Sequence, residues 1–442
     1  MPSLPRALRP FERPQYRLLA VALTAALLGA GIWSVAMVWQ VMELGGGPTQ
    51  LSGVAAASSL GMLAAVLLGG AVADRVPQRR VLMLVEASKA VAVGTGGLLA
   101  VSGLLQVSHL VVIALVIGLA DAFFYPAYTA LLPSVLPSDQ LLAANGVEGV
   151  LRPVVHQALG PAIAGVVIGF ASPAVGLLVV AASQLLAVLG LTRLRETPLR
   201  RERELDADPV RGVLRDIREG FAYMVRTRWV LATLLFACVL LLVIMGPIQV
   251  LLPFAIRENV GGGATEYAIA IAAFGVGGAV GSITVASMKL PRRYLTVMIS
   301  MWGFCCLPLI VAGTAGRLWV IVLSMLVVGS MTAAANVIWG TLLQRRVPPA
   351  MLGRVSSLDV FVSLALMPVS MALAGPVSEA IGRTNVFLIA GLVPPVLSVL
   401  TIVLARLGRD ELAHPLDEAP DDGEPPAGGG DATAPAGDTV PV

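Results

Sequence analysis

The stretch GGAVADRVPQRRVLM, Gly69–Met83, decides how this chain is read. An apolar run ends there in small residues, an aspartate and a basic turn, and a second apolar run begins at once. The apolar segments on either side are about 20 residues long, enough to cross a hydrocarbon core of roughly 30 Å as a helix. The stretch therefore reads as a tight charged hairpin between two membrane-spanning helices. Gly69 and Gly70 let the first of them approach a neighbour closely. Asp74 falls at its C-terminal end, where the helix dipole disfavours a carboxylate unless a cation or another helix N-terminus compensates. Arg75, Arg79 and Arg80 are near enough in sequence to do so.

The composition around the hairpin is that of an integral membrane protein. Of 442 residues, 57% are hydrophobic and 13% charged, with a mean hydropathy of +0.86. Twelve spans would use about 240 residues, which matches the apolar share. A net charge of +3 is too small to suggest nucleic-acid binding, and in a membrane protein basic residues report topology instead. Cys238, Cys305 and Cys306 lie inside apolar segments at a spacing that fits neither a disulfide framework nor a metal site, so they read as packing residues. His109, His156 and His414 are too scattered for a membrane-embedded enzyme, and no GxxxxGKS/T loop marks an ATP-driven exporter. No cofactor or metal is expected.

Hydropathy predicts an all-α integral membrane protein with twelve transmembrane helices. The first six are Arg17–Val41, Gln50–Ala71, Val81–Val101, Leu110–Leu132, Leu141–Phe170 and Pro173–Leu194. The second six are Trp229–Ile256, Glu266–Ala286, Tyr294–Ala312, Leu318–Leu343, Val355–Ile381 and Asn385–Ala405. Of the 30 Lys and Arg residues, only Lys89 and Arg152 within spans, and Arg257, Arg317 and Arg383 beyond them, depart from one face. The positive-inside rule then puts both termini in the cytoplasm of a cell-membrane protein. The expected organisation is an N-terminal arm (1–16), a six-helix bundle (17–194), a linker (195–228), a second six-helix bundle (229–406) and an acidic, Pro/Gly/Ala-rich tail (407–442) expected to be disordered.

Within the linker, Asp208 followed by Pro209 signals a helix start. Val210, Val213, Leu214, Ile217, Phe221 and Met224 then form an apolar stripe opposite Arg211, Arg215, Arg218 and Glu219. Such a helix suits either the headgroup plane, with its arginines on anionic lipid, or the ends of the spans. The two bundles also look like pseudo-repeats. A shift of 211 residues lays Gly118 on Gly329, Leu131–Leu132 on Leu342–Leu343, Pro137 on Pro348 and Glu148 on Asp359. Duplicated helical halves commonly build a midplane site at their interface.

The hairpin resembles the loop signature between the second and third helices of the major facilitator superfamily, matching at Gly70, Asp74, Arg75, Arg79 and Arg80 and departing at Pro77 and Gln78. GLADAFFYPAYTALLPSVLP (Gly118–Pro137), GPAIAG (Gly160–Gly165) and RDIREGFAYM (Arg215–Met224) are similar to the branch that holds enterobactin-type siderophore exporters and macrolide efflux pumps. The resemblance implies that Asp74 and its arginines gate the cytoplasmic side and stabilise an outward-open state. It also implies that GPAIAG is an export-associated motif of the fifth helix, although His156 stands where glycine is common. Physically, Gly160 and Gly165 permit close helix contact, while Pro161 frees a backbone carbonyl. The acid that often follows a glycine in the first span of related exporters is missing from Gly29-Ala30-Gly31.

Ionisable residues inside a bilayer default to functional hypotheses. Asp121, at the middle of the fourth span, shares a helical face with Tyr125 and Tyr128; it reads as a substrate or proton site, or as a hydrogen-bonded structural acid. Glu148, Arg152 and His156 form a stripe on the fifth span. The first two read as an ion pair, and Asp359 of the eleventh span as their partner across the halves. Glu86 and Lys89 sit one turn apart and would neutralise each other. Trp33, Met37 and Gln40, Gln249, and Asn336 with Trp339 mark polar or aromatic faces suited to a bulky amphipathic solute, or to helix packing. The chain is therefore expected to be a secondary transporter, with a small-molecule substrate, protons as coupling ion and lipids as its surroundings. Proton-driven efflux by alternating access is the leading expectation; a lipid or lysolipid flippase and a non-transporting membrane sensor are the alternatives. Oligomeric state is not legible.

Overall fold

The computed structural model describes residues 6–195, 209–288 and 290–416, with some helix side chains left undescribed. Twelve helices are long and apolar enough to cross a membrane, and there is no strand among the described residues. In lipid, a helix satisfies its backbone groups within one segment, so runs of this length and composition have no competing regular structure. Most helices overrun the expected spans by about a turn, the fourth being Val107–Val135 and the tenth Leu318–Arg346, and the eleventh begins earlier still, at Pro349. Proline occupies the first turn of Pro14–Glu43, Pro48–Arg75 and Pro173–Thr192, where its missing N–H costs nothing. On the third span, Gln78–Val101, the exposed residues Leu84, Val91 and Leu98 recur every seven positions and form a lipid-facing stripe.

The two halves are built alike. In the first, the second span packs along the fourth; in the second, the eighth (Ala264–Ala286) packs along the tenth. A Cβ on Gly118 would meet the Ser58 carbonyl, and a Cβ on Gly329 the Phe274 carbonyl. The glycines aligned by the 211-residue shift thus allow equivalent close approaches. The turns into the second and eighth spans also match. Gly45 and Gly261 are left-handed, and the Gly47 and Gly263 N–H groups donate to Gln50 Oε1 and Glu266 Oε2.

Four spans are interrupted, the ninth at Cys305–Cys306 between Tyr294–Phe304 and Leu307–Thr314. The fifth runs Ser138–Leu151, then π-helical Arg152–Leu159, then Gly160–Phe170. The seventh, Arg228–Val260, carries π-helical turns at Pro247–Leu251 and Ile256–Val260. The eleventh breaks at Leu366 between Pro349–Ala365 and Met367–Ile381. A linker helix, Pro209–Arg226, follows the first half, with Met224 buried and Phe221 and Val225 exposed. Asp208 and the side chains of Val210, Arg211, Val213, Leu214, Arg215 and Ile217 lie outside the described residues.

The tail departs from expectation. Leu407–Ala413 is a short helix rather than disordered chain. Buried Glu411 accepts hydrogen bonds from the Leu295 and Thr296 N–H groups and from Thr296 Oγ1 (2.9, 3.0 and 2.6 Å), capping the ninth span. Arg346 holds Asp410 at 2.6 Å. A carboxylate on exposed helix-terminal donors is favoured by hydrogen bonding and dipole together, which is why these acidic residues order. Residues 417–442 lie outside the described residues.

Candidate functional site

The halves meet through the second and eleventh spans on one side and the fifth and eighth on the other. Among the described residues, the hydrogen bonds between the halves lie on the face opposite the termini. Thr49 Oγ1 donates to Glu379 Oε1 (2.6 Å), the Gly375 N–H to Ser52 Oγ (2.7 Å), and Thr265 Oγ1 to the Gly165 carbonyl (3.1 Å). Trp39 and Tyr267 stack across the same seam with ring centroids 5.4 Å apart. Below this seal lies a cavity of about 480 Å³ to which both halves contribute, a size that suits a small-molecule ligand.

Trp33, Met37, Asp121 and Gln249 line this cavity, as expected of a chamber face. Its further polar groups are Ser34, Ser58, Ser59, Lys89, His156, Gln157, Gln184, Tyr267 and Thr332. Thr332 is the residue that the 211-residue shift lays on Asp121, so equivalent positions of the two halves reach the same chamber. Of the polar lining, Ser34, Ser58, Ser59, Gln157, Gln184, Tyr267 and Thr332 were not anticipated. A lone amide in the otherwise apolar sixth span was a usable signal for Gln184. Gln157 lay hidden because the π-helical turn at Arg152–Leu159 widens the helix and turns His156 and Gln157 inward together. Such turns recur at functional sites.

The chamber's charge is organised around Lys89. Its Nζ lies 2.5 Å from Asp121 Oδ1 and 3.2 Å from Glu86 Oε1. The pairing expected within the third span is therefore half of a trio that crosses to the fourth. Glu86 is fully buried, Lys89 nearly so, and the Asp121 side chain is 40% exposed toward the cavity. Phe124, one turn beyond Asp121, sets its ring 5.3 Å from the ammonium, a favourable cation–π contact. Asp121 is thus the cavity-facing end of an ion network that reaches back to buried Glu86. At the missing first-span acid, Ala30 lines the cavity while the glycines on either side of it are sterically confined. A Cβ on Gly29 would overlap Gln184 Nε2, and one on Gly31 would meet the His156 carbonyl and Gly160 Cα.

Five candidates fall outside the chamber. Tyr125 and Tyr128 share Asp121's face but lie about 6 and 10 Å further along the axis, past the cavity floor. Tyr128 is buried, stacked on Phe124. Tyr125 faces a separate pocket with Glu148 and Arg152, whose guanidinium lies over its ring. Asn336 and Trp339 are displaced in the same way, one and two turns below Thr332. Asn336 Oδ1 accepts from Trp302 Nε1 (3.2 Å), and Trp339 Nε1 donates to Asp359 Oδ2 (3.0 Å). Gln40 is buried near the sealed face, beside Glu43.

Among the gating candidates, Glu148 and Arg152 pair at 3.0 Å. Asp359 bonds Trp339 of its own half, which corrects the expectation of a partner across the halves. Gly160 packs on Gly31, and Gly165 faces Thr265 and Ala268 across the seam. Pro161 is buried in the first turn of its helix. Arg79 donates to the Leu191 and Thr192 carbonyls, capping the C-terminus of the sixth span, and Arg80 is exposed. The surroundings of Gly70 and the side chains of Asp74 and Arg75 lie outside what the structure describes.

Comparison with known proteins agrees with this architecture. A family model described as "transmembrane secretion effector" matches residues 6–420. The multidrug efflux pump Tap of Mycolicibacterium fortuitum is 28% identical over 422 residues, covering 90% of this chain and 98% of its own. Macrolide efflux protein A of Streptococcus pyogenes is 24% identical over 379 residues, covering 83% and 90%. Among solved structures, a mutant of the nucleoside transporter NupG superposes with a TM-score of 0.71 at 14% identity, covering 88% of this chain and 99% of its own. A bacterial homologue of the lysosomal transporter Spinster, solved inward-facing and unoccupied, gives 0.64 at 16% identity, covering 92% and 99%.

Proposed function

The chain belongs to the transmembrane secretion effector family of major facilitator transporters, and we propose that it exports a bulky amphipathic small molecule by exchange for protons. It is a multi-pass cell-membrane transporter and not an enzyme. The efflux pumps among its relatives support the direction and the solute class. The observation that carries the reading is one mid-membrane chamber, bounded by both halves, that combines Trp33, Met37, Phe274 and amide groups with a single ion network. Apolar walls and few charges favour an amphipath over a sugar or phosphate.

In this reading the termini are cytoplasmic, as the arginine distribution favours, and the sealed face is the outer one. A seal on that face suits an inward-facing state, which loads solute from the cytoplasm or inner leaflet. Exposed Phe221 and Val225 of the linker helix suit contact with that leaflet. The coupling proton resides on the trio. Lys89 supplies one positive charge to two carboxylates, so one proton neutralises the remainder, and releasing it prepares the site for solute. Asp74 and its arginines would hold the cytoplasmic side shut in the opposite state.

The test uses purified protein in vesicles with an imposed pH gradient and a fluorescent amphipathic dye. Wild-type protein should accumulate dye against its gradient at the expense of the proton gradient, and Asp121→Asn should abolish accumulation. Dye movement indifferent to the pH gradient would exclude proton coupling, and full activity of Asp121→Asn would remove that residue from the mechanism.

A further inference from the structure

The trio holds a feature that solute export alone does not require. Lys89 has two carboxylates within reach, and they differ in surroundings. Asp121 faces the cavity, whereas Glu86 lies behind the lysine with no exposure. Glu86 Oε2 is buried without a hydrogen-bond partner. A buried carboxylate oxygen left unpaired is costly, so the lysine has a second place where it would be welcome. Moving it wholly to Glu86 would leave the cavity-facing carboxylate of Asp121 uncompensated, a vacancy that another cation can take.

We propose that Lys89 is a tethered occupant of a cation site, holding Asp121 while the cavity is empty and withdrawing onto Glu86 when an amphipathic monocation binds Asp121. This deepens the reading of the cavity as a solute chamber and rests on it. Charge arithmetic selects the ligand. With both carboxylates ionised the trio carries one surplus negative charge, which a monocation neutralises and an anion doubles. The apolar walls at Trp33, Met37 and Phe274 then bind the organic body. Phe124 keeps its face to the ammonium, which lowers the barrier to withdrawal.

Equilibrium binding to detergent-purified protein tests this with an isosteric pair of opposite charge, tetraphenylphosphonium and tetraphenylborate. Wild-type protein should bind the phosphonium at least tenfold more tightly than the borate. Lys89→Met, which removes the internal competitor, should bind the phosphonium at least tenfold more tightly still. Glu86→Gln, which leaves the lysine no refuge, should bind it at least tenfold more weakly. With methionine at 89, Glu86→Gln should have no further effect, a non-additivity that a merely structural role would not produce. If Lys89→Met does not fold, Lys89→Gln carries the same expectation. Equal binding of both ions, binding of neither, weaker phosphonium binding to Lys89→Met, or additive effects would overturn the proposal. Because no gradient is involved, failure of the export reading shows separately, as absence of dye accumulation in wild-type vesicles.

Discussion

At the level of single residues, depth along a helix matters as much as face. Asp121, Tyr125 and Tyr128 sit on one side of the fourth span, and the sequence pattern groups them correctly by angle. The cavity, however, occupies only the middle of the membrane, and the two tyrosines pass below its floor. Asn336 and Trp339 are misplaced for the same reason, because periodicity reports direction and is silent about where a chamber begins and ends. A direct expectation follows. Met37→Ala, in the chamber, should weaken apparent solute affinity several-fold, one kcal/mol being about fivefold. Trp339→Phe and Tyr125→Phe, outside it, should leave that affinity unchanged in the same transport assay. Glu411 belongs to this scale as well. Glu411→Ala strands three donors at the start of the ninth span and should cost about 1–3 kcal/mol, read as a lower thermal midpoint in detergent. The compositional bias of the tail concealed this cap, since an acid's value depends on which helix end it meets.

At the level of elements, the spans themselves were legible almost to the turn, because an uninterrupted apolar run admits only a helix in lipid. Their irregularities were less so. Gly160 and Pro161 announced a bendable fifth span, but the π-helical stretch beginning at Arg152 carries no distinct composition, and it decides that His156 and Gln157 face the chamber. The repeat shift was faint as sequence identity and is concrete as geometry: Gly118 and Gly329 each press a helix against a neighbour's carbonyl. Gly118→Val and Gly329→Val should therefore destabilise to a similar degree, about 1–3 kcal/mol for forced overpacking, measured by thermal unfolding of each variant. A large effect at one position and none at the other would mean that the two halves do not share this contact.

For the whole molecule, twelve helices fold as two alike halves that touch closely on the face opposite the termini and enclose a chamber beneath it. The hairpin at Gly69–Met83 pointed to this plan through a resemblance, and hydropathy supplied the count. What neither supplied was the trio, since Lys89 and Asp121 lie on different helices and only tertiary packing brings them within 2.5 Å. The proposed alternating access requires the seam opposite the termini to open in every cycle, and Thr49 with Glu379 spans that seam. The decisive measurement is transport by vesicles carrying the double variant Thr49→Cys/Glu379→Cys before and after crosslinking. Crosslinked protein should stop accumulating dye and recover on reduction; undiminished transport with the pair fully crosslinked would contradict the account.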